Sequence, residues 1–233
     1  MNYWADPHVV RKLVPAPFEV ATRDGLAVVG LCLLRLEGLR PEGFPARIGL
    51  ATENMAHRIA VRFRQDGCWR DGVFVPRRET DSPLIARVGG RLFPGVHALA
   101  RFAVCEERNR MAISVASPDG AADVSVCVRS AVEWKETRLF RSLCDVSAFF
   151  RVRDCGFSPA RRTGEFEGVR LCAHAWAVRP LAVLSAASAL YDNPVIFPAG
   201  SIGLDGAVLM QDITHHWEIL PSLHHRERER VAA

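Results

Sequence analysis

The sequence predicts a mainly β fold of the α+β class: a single closed or cone-like barrel of antiparallel or mixed strands with a few flanking helices. Three observations support this prediction. Many short apolar or alternating segments are separated by turn residues, few segments carry helix-start patterns, and strands do not alternate with helices as βαβ units require. The 233-residue chain is 49% hydrophobic, which is enough for a substantial core.

Helix starts are visible at three places. Asp6-Pro7 puts a capping side chain before a proline at the first helical position, and Ser82-Pro83 repeats the pattern. The second of these helices should run into Gly89-Gly90. Asp145 is expected to cap a third helix, with Gly156 just past its end.

The other apolar segments predict strands. Residues 26–36 are almost wholly apolar, which suits a strand buried on both faces, although a helix also fits this run. Residues 57–63 alternate apolar side chains with arginines, as a half-buried strand does. Residues 111–117 and 124–130 flank a Pro-Asp-Gly turn and predict a hairpin. Further strands are expected at 46–52, 72–76, 97–105, 168–178, 181–190 and 213–219.

One domain is predicted over residues 1–222, because no internal repeat or linker-like stretch interrupts the chain. Residues 223–233 are expected to form a flexible charged tail, since they are His-rich and then alternate arginine with glutamate.

Charge and cysteine usage argue against several partners. The formal net charge is only +4 and the arginines are scattered, so no nucleic-acid partner is predicted. Apolar runs are too short to span a bilayer and no signal peptide is visible, so we predict a cytoplasmic protein with no membrane partner. Seven cysteines are spread singly, and His215 and His216 should point to opposite faces of a strand. No metal and no cofactor is therefore predicted.

Three segments together resemble the acetoacetate-decarboxylase-like superfamily, and more narrowly its uncharacterised bacterial branch of unknown function. They are VVRKLVPAPFEV at 9–20, GLATENMAHRIA at 49–60 and GVFVPRRETDSPLIARVGGRLFPGVHALARF at 72–102. Residues 191–218, with LDGAVLMQDITHHWE, are similar to the C-terminal part of that branch. The resemblance implies a barrel with flanking helices and a pocket inside it. Because related barrels often self-associate, it also allows a homo-oligomer.

The chain differs from the decarboxylases of this superfamily in the third segment. In the decarboxylases two adjacent lysines follow the proline of the third segment, and one forms a Schiff base with the substrate ketone. Here Pro94 is followed by Gly95 and Val96, and the only lysines in the chain are Lys12 and Lys135. Arginine cannot replace the amine, because its guanidinium stays protonated. We therefore expect no lysine-dependent decarboxylation.

Four residues are candidates for the pocket. The resemblance aligns Glu53 with a pocket carboxylate that orients a substrate or acts as an acid or base. Arg78 is suited to clamp a carboxylate with two hydrogen bonds, and Arg91 to present a fixed positive charge. His97 follows the lost lysine position, where a histidine is suited to act as a neutral acid or base near physiological pH.

Each candidate also has a purely structural interpretation. Glu53 suits an exposed loop, and an arginine at 77 or 78 suits an ion pair with Glu79 or Asp81. Arg91 suits a helix end, and a lone strand histidine such as His97 is most often simply hydrogen-bonded. The favoured function is a barrel pocket that binds a small carbonyl or carboxylate ligand. An enzyme of altered mechanism using Glu53 or His97 is the alternative, and a structural protein with a filled interior is a third.

Overall fold

The computed structural model describes residues 1–40, 43–45, 47, 49–90 and 94–224. Three helices lie in this part of the chain: α1 (Pro7–Arg11), α2 (Pro83–Val88) and α3 (Leu143–Arg151). The strands of the same residues are β1 (Asn2–Ala5), β2 (Glu19–Val20), β3 (Thr22–Arg23), β4 (Leu26–Leu39), β5 (Leu50–Gln65), β6 (Cys68–Thr80), β7 (Ala98–Leu99), β8 (Arg101–Glu107), β9 (Arg110–Ala116), β10 (Val124–Ser130), β11 (Cys155–Pro159), β12 (Glu165–Ala173), β13 (Arg179–Ser188), β14 (Ile202–Leu209) and β15 (His215–His224).

The two helix starts with proline are confirmed. Asp6 accepts the backbone N–H of His8, and the Ser82 hydroxyl accepts that of Ile85. The prediction for the third helix was wrong in both of its limits. Ser142 is the cap and Asp145 lies in the first turn, because the Ser142 hydroxyl accepts the Asp145 N–H. Gly156 does not end this helix but lies in β11, where it pairs with β6.

Residues 26–36 form a strand, which excludes the helical alternative, and β4 continues to Leu39. The predicted strands at 46–52 and 57–63 are joined in the single strand β5, although residues 46 and 48 lie outside the described residues. The join follows from pairing, because Glu53 pairs with Arg35 of β4 and Asn54 with Thr80 of β6 without a break. The hairpin of β9 and β10 is confirmed.

The tail was predicted to start too early. Leu223 pairs with Phe166 and His224 with Glu165, so β15 continues through His224. A strand partner in β12 thus orders residues that sequence composition alone assigns to solvent. Residues 225–233 of the predicted tail lie outside the described residues.

One path of paired strands runs through the molecule in the order β15-β12-β11-β6-β5-β4-β1-β14-β13-β10-β9-β8. Most pairs are antiparallel, and β6 pairs in parallel with β11 and β7. The mainly β class is confirmed. Closure into a barrel is not, because β15 and β8 end the path without pairing to each other among the described residues.

Strands β4, β5 and β6 form the centre of the sheet and are covered on both faces. The inner face carries Met55, Ile59 and Phe74 and packs on the larger core. Five phenylalanine rings lie in that core, and the neighbouring rings have centroid distances of 4.8–6.1 Å: Phe18, Phe63, Phe74, Phe157 and Phe166. The outer face carries Val28 and Ala60 and packs on a second cluster that includes α3. Alternation along these strands decides which face each functional side chain reaches.

Candidate functional site

Arg78 lies near the end of β6 on the outer face, opposite Ala56 of β5. Its Nε donates a hydrogen bond of 2.7 Å to the Ser158 hydroxyl, and Ser158 is only 2% exposed. No ion pair among the described residues includes Arg78. Burial lowers the Arg78 pKa from 12.5 to about 10, so the guanidinium is still a cation at neutral pH.

A cavity of about 180 Å³ lies beside Arg78. Arg78 and Ser158 line it on one side, and Ser158 comes from β11, the strand that pairs in parallel with β6. The rest of the lining consists of Arg77 and of six apolar residues: Val75, Pro76, Val96, Ala98, Pro159 and Ala160. Arg77 is paired with Glu79 and Asp119, so Arg78 is the cation of this lining that has no ion-pair partner among the described residues. A largely apolar recess with a few polar groups is the usual layout of a small-ligand site.

The loop that follows Pro94 is held against this arginine. The Gly95 N–H donates to Glu167 Oε2 at 2.7 Å, and Gly95 has a φ of +92°, a conformation that favours glycine. A Cβ at Gly95 would lie 3.1 Å from Arg78 Nε and 3.5 Å from Ser158 Oγ. A side chain at position 95 would therefore lie against the Arg78 side chain.

His97 lies in the same loop. Its Nδ1–H donates to the Gly95 carbonyl at 2.9 Å, and a Cβ at Gly89, the residue that ends α2, would lie 2.8 Å from Nδ1. Burial, and then the charge of Arg78, lower the His97 pKa to about 4. The imidazole is therefore neutral at physiological pH. The structure thus places His97 close to Arg78.

Glu53 does not join them. It lies on the inner face of β5, and its carboxylate accepts Arg35 Nε at 2.5 Å. Arg35 also donates to Glu106 of β8 at 2.6 Å. Glu53 and Arg78 project from opposite faces of the sheet, since Glu53 is three residues from Ala56, the partner of Arg78. Arg91, the fourth candidate, lies outside the described residues.

Both lysines lie at the surface. Lys12 is exposed at the C-terminal end of α1, and Lys135 is exposed in the connection between β10 and α3. Neither lines the cavity beside Arg78.

Sequence analysis missed a polar group on the inner face. Arg77 donates through Nε to Glu79 Oε1. Its Nη1 and Nη2 each donate a hydrogen bond of 2.8 Å to the exposed Asp119. Glu79 is fully buried, and its Oε2 lies 3.9 Å from Nδ1 of His57, which is 1% exposed. The Arg77–Glu79 pair is the ion pair that the structural interpretation of this arginine segment expected.

Burial is the largest cause of the pKa shifts of Glu79 and His57. It raises the Glu79 pKa from 4.5 to about 7, against the opposing effect of Arg77, and lowers the His57 pKa to about 4. The contact between His57 and Glu79 is therefore not an ion pair at neutral pH. A sequence clue existed: Arg77 and Glu79 are two residues apart in a β-prone segment and must share a face.

Other kinds of site find no support in the described part of the chain. No group of three or more His, Cys, Asp or Glu side chains there is arranged to hold a metal ion. No helix there is both long and apolar enough to cross a membrane.

Several solved structures share the fold. An acetoacetate decarboxylase from Legionella pneumophila aligns with a TM-score of 0.54 at 10% identity, over 95% of this chain and 85% of its own. An acetoacetate decarboxylase-like enzyme from Sphingomonas wittichii RW1 aligns with a TM-score of 0.52 at 16% identity, over 95% and 90%. The enduracididine biosynthesis enzyme MppR, complexed with pyruvate, aligns with a TM-score of 0.52 at 12% identity, over 96% and 85%.

These alignments define the class: the chain has an acetoacetate decarboxylase-like fold. Within that class it belongs to DUF2071, a family described as an uncharacterized conserved protein, whose model matches residues 1–193. No curated protein matches the sequence. The resemblance to an uncharacterised branch of the superfamily is thereby confirmed.

Proposed function

We propose that the cavity beside Arg78 binds a small organic carboxylate, without a covalent bond to a lysine. One observation carries this proposal: a half-buried guanidinium with no acidic partner among the described residues. A charge that is partly removed from water without a counter-charge is unfavourable. A bound carboxylate offsets that cost, because it supplies the missing negative charge.

The geometry of Arg78 favours a carboxylate over other anions of similar size. Ser158 occupies Nε and fixes the plane of the guanidinium. Both Nη groups are without a hydrogen-bonded partner among the described residues, and two parallel N–H bonds match the two oxygens of a carboxylate.

The size and lining of the cavity suit a small ligand. Its volume is about 180 Å³. The apolar walls at Val96, Ala98 and Pro159 suit a short aliphatic or carbonyl-bearing remainder rather than a second charge. Pyruvate, with which MppR is complexed in its solved structure, has this combination of groups.

Lysine chemistry finds no support at this site. Gly95 and Val96 stand where the decarboxylases have two lysines, and Lys12 and Lys135 are exposed. The arginine beside Gly95 cannot form an imine, because its guanidinium remains protonated at neutral pH.

An enzyme of altered mechanism is the second candidate, and His97 favours it. His97 is close enough for the charge of Arg78 to lower its pKa, and a neutral imidazole is a base that accepts a proton from a carbonyl compound. Glu53 has no part in such a mechanism at this cavity, since it lies on the other face of the sheet.

Titration calorimetry with pyruvate and acetoacetate tests binding. We expect Arg78→Gln to weaken binding at least tenfold, and Arg35→Gln, which removes an exposed arginine on the other face, to leave it unchanged. Acetone, which lacks the carboxylate, should bind neither form. Equal affinity of wild type and Arg78→Gln, or no binding of either acid, would contradict the proposal.

Hydrogen exchange of the ligand separates the two candidates. Pyruvate methyl protons are followed by NMR in deuterated buffer with wild type and His97→Gln. Binding alone predicts the same slow exchange with either protein and without protein. Faster exchange with wild type that His97→Gln abolishes would establish the enzyme instead.

A further inference from the structure

We propose that the inner face of the sheet holds a second polar site, separate from the Arg78 cavity, where one internal water molecule bridges His57 and Glu79. The two residues belong to neighbouring strands β5 and β6, and Arg77 pairs with His57 in the register of those strands. Arg78 projects from the other face, so the two sites are on opposite sides of the sheet.

Unpartnered atoms in a buried position carry this inference. His57 is 1% exposed and Glu79 0%. Among the described residues, His57 Nδ1, His57 Nε2 and Glu79 Oε2 are buried and have no hydrogen-bond partner. Buried polar atoms in folded proteins almost always have a partner, from the protein or from an ordered water.

No described residue supplies that partner. A separation of 3.9 Å between His57 Nδ1 and Glu79 Oε2 is too long for a direct hydrogen bond. Arg77 is already engaged by Glu79 Oε1 and Asp119. Tyr191 packs its ring edge-on to the imidazole at 5.8 Å, but its hydroxyl donates to the Gly30 carbonyl at 2.7 Å.

The surroundings select a neutral and very small ligand. Met55 and Ile59 flank His57 on the same face and are 1% and 3% exposed, so the site lies within the larger apolar core. A neutral imidazole has one donor and one acceptor nitrogen. Water both donates and accepts, and internal waters typically satisfy two to four buried groups of this kind.

A high-resolution crystal structure of the full chain tests the site. We expect a density peak of water size within about 2.6–3.2 Å of Glu79 Oε2 and of one His57 ring nitrogen. In Glu79→Gln the peak should persist, because the amide still bonds to water, and in Glu79→Leu it should disappear. An empty site, a direct His57–Glu79 hydrogen bond, or density larger than water would overturn the inference.

A solution measurement on the unmodified protein keeps the inference falsifiable if Glu79→Leu does not fold. We expect a rotating-frame Overhauser cross-peak between bound water and the His57 ring protons. Absence of that cross-peak, with the ring protons assigned, would contradict the site.

Discussion

Arg77 and Arg78 are adjacent in sequence and have opposite environments. Arg77 is paired with Glu79 and Asp119, whereas Arg78 has a neutral hydroxyl as its one hydrogen-bond partner among the described residues. Strand alternation predicts from sequence that the two point apart. The sequence does not show which of the two has an acidic partner, because their partners are distant in the chain. Ser158 belongs to β11 and Asp119 to the β9–β10 turn.

At the same scale, Gly95→Ala should weaken carboxylate binding. The new Cβ would lie 3.1 Å from Arg78 Nε and would displace the guanidinium. Gly200→Ala is the matched control, because Gly200 has a φ of +81° with nothing within 4 Å of the Cβ position. Both variants should lose about 1 kcal/mol of unfolding free energy from backbone strain, and only Gly95→Ala should also bind pyruvate more weakly. Equal affinities in the two variants would contradict the role given to Arg78.

Glu79 should make stability depend on pH. Its pKa is raised from 4.5 to about 7, so its contribution to stability is full below pH 4.5 and is lost as pH rises to about 7. The loss is about 3 kcal/mol for a buried carboxyl, at ~1.4 kcal/mol per pKa unit. Glu79→Gln lacks this loss. The free energy of unfolding of wild type should therefore fall relative to that of Glu79→Gln as pH rises from 4.5 to 7.

Urea denaturation of wild type and Glu79→Gln at several pH values measures that shift. The comparison isolates Glu79, since the lowered pKa of His57 acts in the opposite direction in both proteins, reducing stability as pH falls from 6.5 to 4. A difference that stays constant with pH would show that the Glu79 pKa is not raised.

At the scale of the element, local rules predicted the helix starts better than the strand limits. Asp6 and Ser82 cap helices as expected because capping depends on a few neighbouring residues. The polar pair Glu53 and Asn54 interrupts the apolar pattern within β5, and only pairing on both sides keeps the strand continuous. Strands β1 and β14 were not predicted, because each is ordered mainly by partners distant in sequence.

The cap of α3 gives a prediction for this scale. Ser142→Ala should lower the free energy of unfolding by about 1 kcal/mol, because the Asp145 N–H loses its acceptor. Ser114→Ala, on an exposed position of β9, should have little effect. Chemical denaturation of both variants checks this, and equal stabilities would indicate that Ser142 does not cap the helix.

At the scale of the whole molecule, the mainly β class was predicted from sequence and the closed barrel was not confirmed. Alternating patterns identify strands, but they do not say which strands pair or whether the ends of a sheet meet. The same limit applies to the site. The resemblance indicated Glu53, which lies on the face opposite Arg78, and the His57–Glu79 pair emerged only from the register of β5 and β6.

Because Lys12 and Lys135 are the only lysines and both are exposed, we expect borohydride to trap no Schiff base with a ketone. Incubation with acetoacetate and borohydride should leave the masses of the peptides with Lys12 and Lys135 unchanged, since both side chains are exposed and neither lines the cavity beside Arg78. Peptide mass spectrometry measures this, with a lysine-dependent decarboxylase as positive control. A reduced adduct on either lysine would contradict noncovalent binding.

A crystal structure of the chain grown with pyruvate tests the central claim most directly. The account predicts pyruvate in the cavity of about 180 Å³, with its carboxylate within hydrogen-bond distance of the Arg78 Nη groups and no bond to any amine. Pyruvate bound elsewhere, or density continuous with a lysine, would contradict it.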